Sequence, residues 1–244
     1  MKKIALIMGM PVVIDVADED CKEADIQDTF DYLHHVDDVF STYKSNSEIE
    51  RINRGEISVA QTSDEMKKIL DLCEQTKSES DDYFNINING KLDPSGLVKG
   101  YAINEAANLL GNFGYKNYFV DIGGDVQATG LNGDKKPWAI GIRNPFNQNE
   151  IIKVVHISNR GVATSGTYIR GNHIFNPIKK KPATEIVSVT VIGPNIYEAD
   201  RFATPTFAMG LEGINWLERK PGLEGYLITH DRKAIFTSGF SEYL

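Results

Sequence analysis

Asp200 and Thr204 stand four residues apart in NIYEADRFATPTFAMG, behind Asn195 and Glu198, which have the spacing of a helix N-cap and its third residue. A carboxylate and a hydroxyl so spaced lie one turn apart on one helical face and suit a hard cation such as Mg²⁺, which takes oxygen ligands and keeps waters or phosphate oxygens besides. The plain alternative is a solvated helix end. Pro205 follows at once and is expected to bend or restart the helix. A second stretch, DPSGLVKGYA from Asp93 to Ala102, feeds an alanine-rich helix expected to start near Val98, where free backbone N–H groups attract anions. Lys99 precedes its glycine, so this is not a P-loop, and the dinucleotide fingerprint is missing too. An ordinary cap with a surface lysine would give the same letters. In GVATSGTYIRGNHIFNP, the small and hydroxyl residues from Ala163 to Gly166 would let a ligand come close, and His173 has the chemistry of a general base or of a structural strand histidine. DIGGD, from Asp121 to Asp125, reads as a bulged hairpin or as paired glycines that admit a flat ring.

Several elements must hold these groups. Ile26, Phe30, Leu33, Val36 and Phe40 recur at helical spacing, and Thr62 with Glu65 has the pattern of a capping box opening a second long helix. SNSEIERINRG reads as a short helix closed by Gly55, and the helix after Asp93 should stop at Gly111 or Gly114. His34 and His35 are adjacent on a helix and point apart, so they share no metal. The middle and end of the chain are strand-rich: NYFVDIGGDVQATG, PWAIGIRNP, IIKVVHISNRGVATSG, IVSVTVIGP and the closing hairpin GYLITHDRKAIFTSGF, with one helix around EADRFATPTFAMGLEGINWLE. Helices, then strands, then a helix and a hairpin order as α+β and not as a doubly wound sheet.

The chain has 244 residues, 41% of them hydrophobic, enough for a sizeable core in a single domain over 1–244. A net charge of -8 argues against nucleic acid or an anionic membrane as partner. Cys21 and Cys73 fit no metal spacing and read as buried thiols. MKKIALIMGM resembles a signal peptide only in its lysines and apolar run; it meets Asp15 without a cleavage site, and no segment reaches membrane-span length, so a cytoplasmic protein is expected.

Taken in order, MGMPVVIDV, FSTYKSNSEIERIN, YFNINING, DPSGLVKGYAINEAANLL, NYFVDIGGDVQATG, PWAIGIRNP, GVATSGTY, HIFNP and VSVTVIGPNIYEADRFATPTFAMG resemble the ApbE family of FAD:protein FMN transferases. The resemblance runs from Met8 to Gly210, and its specificity lies in the ordered set. It implies an ApbE-like, T-fold-like α+β architecture of mixed sheets with flanking helices and a cleft for FAD between two interlocked halves. It further implies that Mg²⁺ is held by Asp200, Thr204 and the Gly96 carbonyl, and that FAD is contacted by Met8, Tyr43, Phe84, Asn85, Ile86, Asp93, Lys99 and Ile174.

The reaction so implied moves FMN from FAD to a Thr or Ser hydroxyl of an acceptor flavoprotein, with His173 as base and AMP leaving. The same site would serve an FAD pyrophosphatase if water replaced the acceptor, and a non-catalytic FAD-binding protein if neither reacted. The sequence departs from the family pattern in a short stretch between YFNINING and KLDPSG, in Asn85 and Asn176 where aspartates are usual, in Pro205, and in a start without an export signal.

Overall fold

The structure is a computed structural model that describes residues 1–88, 90–167 and 174–244. Strands β1 (Lys2–Ile7) and β2 (Met10–Val16) lead into helices α1 (Glu23–Phe40), α2 (Glu48–Asn53) and α3 (Asp64–Glu79). The short strands β3 (Asn87–Ile88) and β4 (Lys91–Leu92) precede α4 (Ser95–Asn112). Next come β5 (Tyr118–Ile122), β6 (Asp125–Thr129), β7 (Trp138–Asn144), β8 (Asn147–Ile157), β9 (Arg160–Gly166), β10 (Phe175–Asn176), β11 (Lys181–Pro182) and β12 (Ile186–Gly193). Helices α5 (Ile196–Met209) and α6 (Glu212–Leu217) and strands β13 (Glu224–Thr229) and β14 (Ala234–Phe236) complete the order.

Eight strands form one sheet in the order β1-β2-β5-β6-β9-β12-β13-β14, and their pairings are antiparallel. The long hairpin β7–β8 leaves that sheet, which is why β9 lies beside β6. Alternation along the strands decides the two faces. Val12, Ile14, Val120 and Ile122 join the faces of α1, α4 and α5 in the main core. Val126, Ala128 and Val162 point the other way, onto Trp138, Ile140, Val155 and Ile157 of the hairpin. Strand β12 is buried along its whole length because both faces are covered. The α+β expectation holds, and no helix among the described residues is long and apolar enough to cross a membrane.

The helix ends differ from the sequence expectations in four places. A 3₁₀ turn at Val59–Gln61 engages the Thr62 hydroxyl, which donates to Val59 O at 2.7 Å, so Ser63 becomes the N-cap of α3 and accepts from Met66 N at 3.1 Å. Glu65, freed from capping, pairs with His35 at 2.8 Å. Helix α4 begins at Ser95, ahead of Val98, because Pro94 suits a helix start and Asp93 Oδ1 accepts from Ser95 N at 3.0 Å. Gly114, with φ +100°, follows its end while Gly111 stays inside it. Pro205 neither ends nor restarts α5, which is continuous to Met209; beside it the Thr206 hydroxyl donates to Phe202 O at 2.6 Å. The helix expected through GLEGINWLE is two helices, divided at Gly210 with φ +72°.

Candidate functional site

Asn195 opens α5 by accepting from Glu198 N at 2.9 Å, which sets the phase of the helix and turns Asp200 towards α4. The two helices touch at a glycine. A Cβ on Gly100 would lie 2.5 Å from Asp200 Cβ and 3.0 Å from Ile196 O, so only glycine admits the carboxylate. Gly100 N donates to Asp200 Oδ2 at 2.7 Å. That N–H is the donor a regular α-helix aims at the carbonyl four residues earlier, here Gly96. One turn along each helix the approach repeats, for a Cβ on Gly96 would meet Thr204 Oγ1 at 3.5 Å and the Phe84 ring at 3.3 Å. The crossing of α4 and α5 therefore sets Gly96 beside Thr204 and Gly100 beside Asp200, one turn apart along each helix.

Asp200 is only 5% exposed. Burial raises its carboxyl from the ordinary 3.8 to about 7; Lys99 and the Gly100 N–H pull it down, and the neighbouring Asp125 carboxyl pushes it up. Asp125 opens β6 and is 2% exposed. Its Oδ1 accepts from Thr164 N of β9 at 3.0 Å, and its Oδ2 lies against Lys99 Nζ in an ion pair. Nearby Asp121 also sits above the usual carboxylate range, chiefly through burial, although its Oδ1 accepts from Gly124 N at 2.7 Å. Lys99 is thus no ordinary surface lysine: its ammonium is held at the rim of the sheet beside two carboxyl groups.

The remaining candidates fall in three places. Phe84 and Ile86 are buried beside the start of α4; Ile86 O accepts from Asp93 N at 2.8 Å, and Asn85, exposed between them, accepts from Asn87 N. Met8, with φ +54°, and Gly9 form the β1–β2 turn. The Gly123–Gly124 turn lies at the same sheet end, for Gly123 N donates to Pro11 O and a Cβ on Gly123 would meet Met10 Sδ. Tyr43 is 96% exposed after α1. Ile174 is buried and its carbonyl accepts from Ala183 N, whereas His173 lies outside the described residues.

Sequence reasoning passed over Asp125. Its signal was the alternation of DVQAT, in which Asp125 and Gln127 share one face. A polar face reads as solvent, yet here it meets α5: Gln127 Oε1 accepts from Ile196 N at 2.8 Å. Asn176, standing where the resemblance implies an aspartate, donates through Nδ2 to Ala208 O at 2.6 Å near the end of α5 and accepts from Lys179 N at 2.7 Å. An ionised aspartate could make only the second bond.

The donor set fits a hard divalent cation. Asp200 supplies a buried carboxylate that lacks solvation, Thr204 a hydroxyl and Gly96 a carbonyl, all oxygens. Among the described residues no group of three or more His, Cys, Asp or Glu side chains is placed to hold a metal ion by itself.

Comparison with known proteins bears on the same elements. The model of the ApbE family matches residues 8–90 and 88–227. The curated FAD:protein FMN transferase of Escherichia coli (strain K12) is 34% identical over 156 residues, 60% of this chain and 44% of that protein. That of Klebsiella pneumoniae (strain 342) is 33% identical over 156 residues, 60% of this chain and 45% of the other. The chain spans less than half the length of the curated relatives it matches. Among solved structures, flavin transferase ApbE from Vibrio cholerae aligns with a TM-score of 0.85 at 22% identity, covering 100% of this chain and 99% of that one. The ApbE protein from Thermotoga maritima aligns at 0.89 and 20% identity, covering 100% and 98%. At these identities the structural likeness speaks for the fold.

Proposed function

The chain belongs to the ApbE family, and from that premise we propose that it transfers FMN from FAD to a Thr or Ser hydroxyl of an acceptor flavoprotein, releasing AMP. The observation that carries this reading is the α4–α5 crossing, where Gly100 admits a buried Asp200 and Gly96 faces Thr204.

Asp200, Thr204 and the Gly96 carbonyl would hold Mg²⁺, which supplies charge neutralisation for the pyrophosphate and for the departing AMP oxygen. The rest falls to the chain itself. Lys99 presents a fixed ammonium at the rim where the phosphates would lie, and the early N–H groups of α4 add a partial positive charge. Asp93 ties the loop before α4 by accepting from Ser95 N and donating its own N–H to Ile86 O, so Phe84 and Ile86 move with the helix start. Met8, Tyr43, Asn85 and Ile174 complete the proposed flavin contacts. A hydroxyl is a weak nucleophile, and His173 takes its proton as the oxygen attacks the FMN phosphorus. The bond from that phosphorus to the bridging oxygen breaks, and AMP carries that oxygen away.

The test is mass spectrometry of an acceptor flavoprotein incubated with this chain, FAD and Mg²⁺. An FMN-sized adduct on Thr or Ser, with one AMP per adduct, is the expected result. FMN and AMP without an adduct would make the protein an FAD pyrophosphatase. Intact FAD after prolonged incubation would make it a flavin-binding protein without turnover, and either result overturns the proposal.

A further inference from the structure

Three charged side chains crowd the crossing where the metal ion would need only one of them. Gly100 N–H donates to Asp200 Oδ2, and the charge of the Lys99 ammonium also acts on that carboxylate, favouring its ionised form. An ammonium and a divalent cation compete for the same carboxylate oxygens. Yet Lys99 forms an ion pair with Asp125, which lies on a strand and not on α5. Thr164 N–H holds Asp125 for that task by donating to its Oδ1. Its side chain is 3% exposed and that of Lys99 23%, so water offers the ammonium little substitute.

We infer that Asp125 is a positioning residue for the cation site: by retaining the Lys99 ammonium it keeps Asp200 open to a divalent ion. The inference rests on the reading of Asp200 as a metal ligand. If Asp125 loses its charge, the partly buried ammonium is left to the neighbouring carboxyl groups of Asp121 and Asp200, and an ion arriving at Asp200 must first displace it. The role differs from that of a structural aspartate, because the damage comes from Lys99 and should vanish with it.

Asp125→Asn keeps an oxygen for Thr164 N–H, so the local backbone retains its partner. Isothermal titration with MgCl₂ alone, on proteins whose far-UV spectra match the parent, is expected to show Mg²⁺ affinity weakened by about 10- to 100-fold in Asp125→Asn, the range for loss of a group supporting a metal ligand. The double variant Asp125→Asn/Lys99→Met should return to within about threefold of the parent, as coupled neighbours do when one removes the other's damage. Asp121→Asn removes the same charge from a carboxylate that also interacts with Lys99 and Asp125, while its acceptor for Gly124 N–H survives. It should stay within about threefold of the parent, which separates a held ammonium from a general loss of negative potential. Parent-like binding by Asp125→Asn, a double variant as weak as the single one, or an equal loss in Asp121→Asn overturns the inference while leaving the metal site standing. A parent protein that takes up no Mg²⁺ overturns the metal-ligand reading, and this inference with it.

Discussion

Burial is the first reason that Asp200 holds its proton to about 7, with the Asp125 carboxyl adding to the rise and the Lys99 charge and the Gly100 N–H opposing it. The sign of its effect on stability follows from the direction of the shift. The folded value lies above the unfolded one, so Asp200 stabilises the metal-free fold fully below about pH 4, and that contribution is lost as pH rises through about 7. A metal ion needs the carboxylate, so binding displaces the proton in the same window. The rise in Tm on adding Mg²⁺ should therefore be larger at pH 8 than at pH 6; an equal rise at both would show that Asp200 is not the ligand. Asp200→Ala is expected to lose that rise and to lower FMN transfer by about 100-fold or more, as for removal of a fixed electrostatic stabiliser; steady-state rates with an acceptor protein check it. The acid and alcohol of α5 were legible because helical spacing alone puts them on one face. Asp125 was not, because nothing in a sequence says that the polar face of β6 will be covered by a helix start.

Helix α5 serves two environments through adjacent residues. Asp200 faces α4, while Arg201, with its side chain 7% exposed, turns to the other side, bonding Glu79 at 2.6 Å and Glu198 at 2.8 Å and lying over the Phe202 ring at 4.1 Å. Removing one partner of a fully buried ion pair costs roughly 3–5 kcal/mol, but Glu79 and Glu198 are 36% and 26% exposed and would regain water. Arg201→Met should then cost about 2 kcal/mol in denaturant unfolding and leave Mg²⁺ affinity unchanged, since its contacts lie off the crossing. Gly100→Ala should do the reverse in kind: the added methyl meets Asp200 and the Ile196 carbonyl, and parting the helices costs about 1–3 kcal/mol together with the cation site. Unaltered Mg²⁺ binding in Gly100→Ala would mean that the crossing does not form the site. Here the sequence was half legible. The Asn195 cap and the phase of α5 follow from local spacing, whereas continuity through Pro205 rests on burial of Pro205, Thr206 and Phe207 in the core, a tertiary effect that local breakers do not report.

Across the whole molecule the eight-stranded sheet separates two cores, and the candidate site belongs to one of them. On the helix side lie α1, α4 and α5; on the other, the β7–β8 hairpin stacks Trp138 on Phe119 at 5.4 Å and donates Trp138 Nε1–H to Thr129 O at 3.1 Å. Strand alternation made the strands readable, but their order was not, because the excursion of β7–β8 places β9 between β6 and β12, and no local pattern specifies a partner that distant. The two cores make a prediction that neither the residue nor the helix can make alone. Trp138→Ala empties the second core and should destabilise the fold by about 3–5 kcal/mol in urea unfolding. The carboxyl cluster reaches the sheet through Asp125, whose neighbour Val126 packs on the hairpin side, so the two sites share a strand but not a face. If the sheet carries load without passing displacement through, Mg²⁺ affinity in folded Trp138→Ala stays within about threefold of the parent, as expected for sites without shared contacts. A tenfold loss of affinity in a variant that remains folded would instead mean that β6 moves as a lever, and that the hairpin core helps to set the position of Asp125.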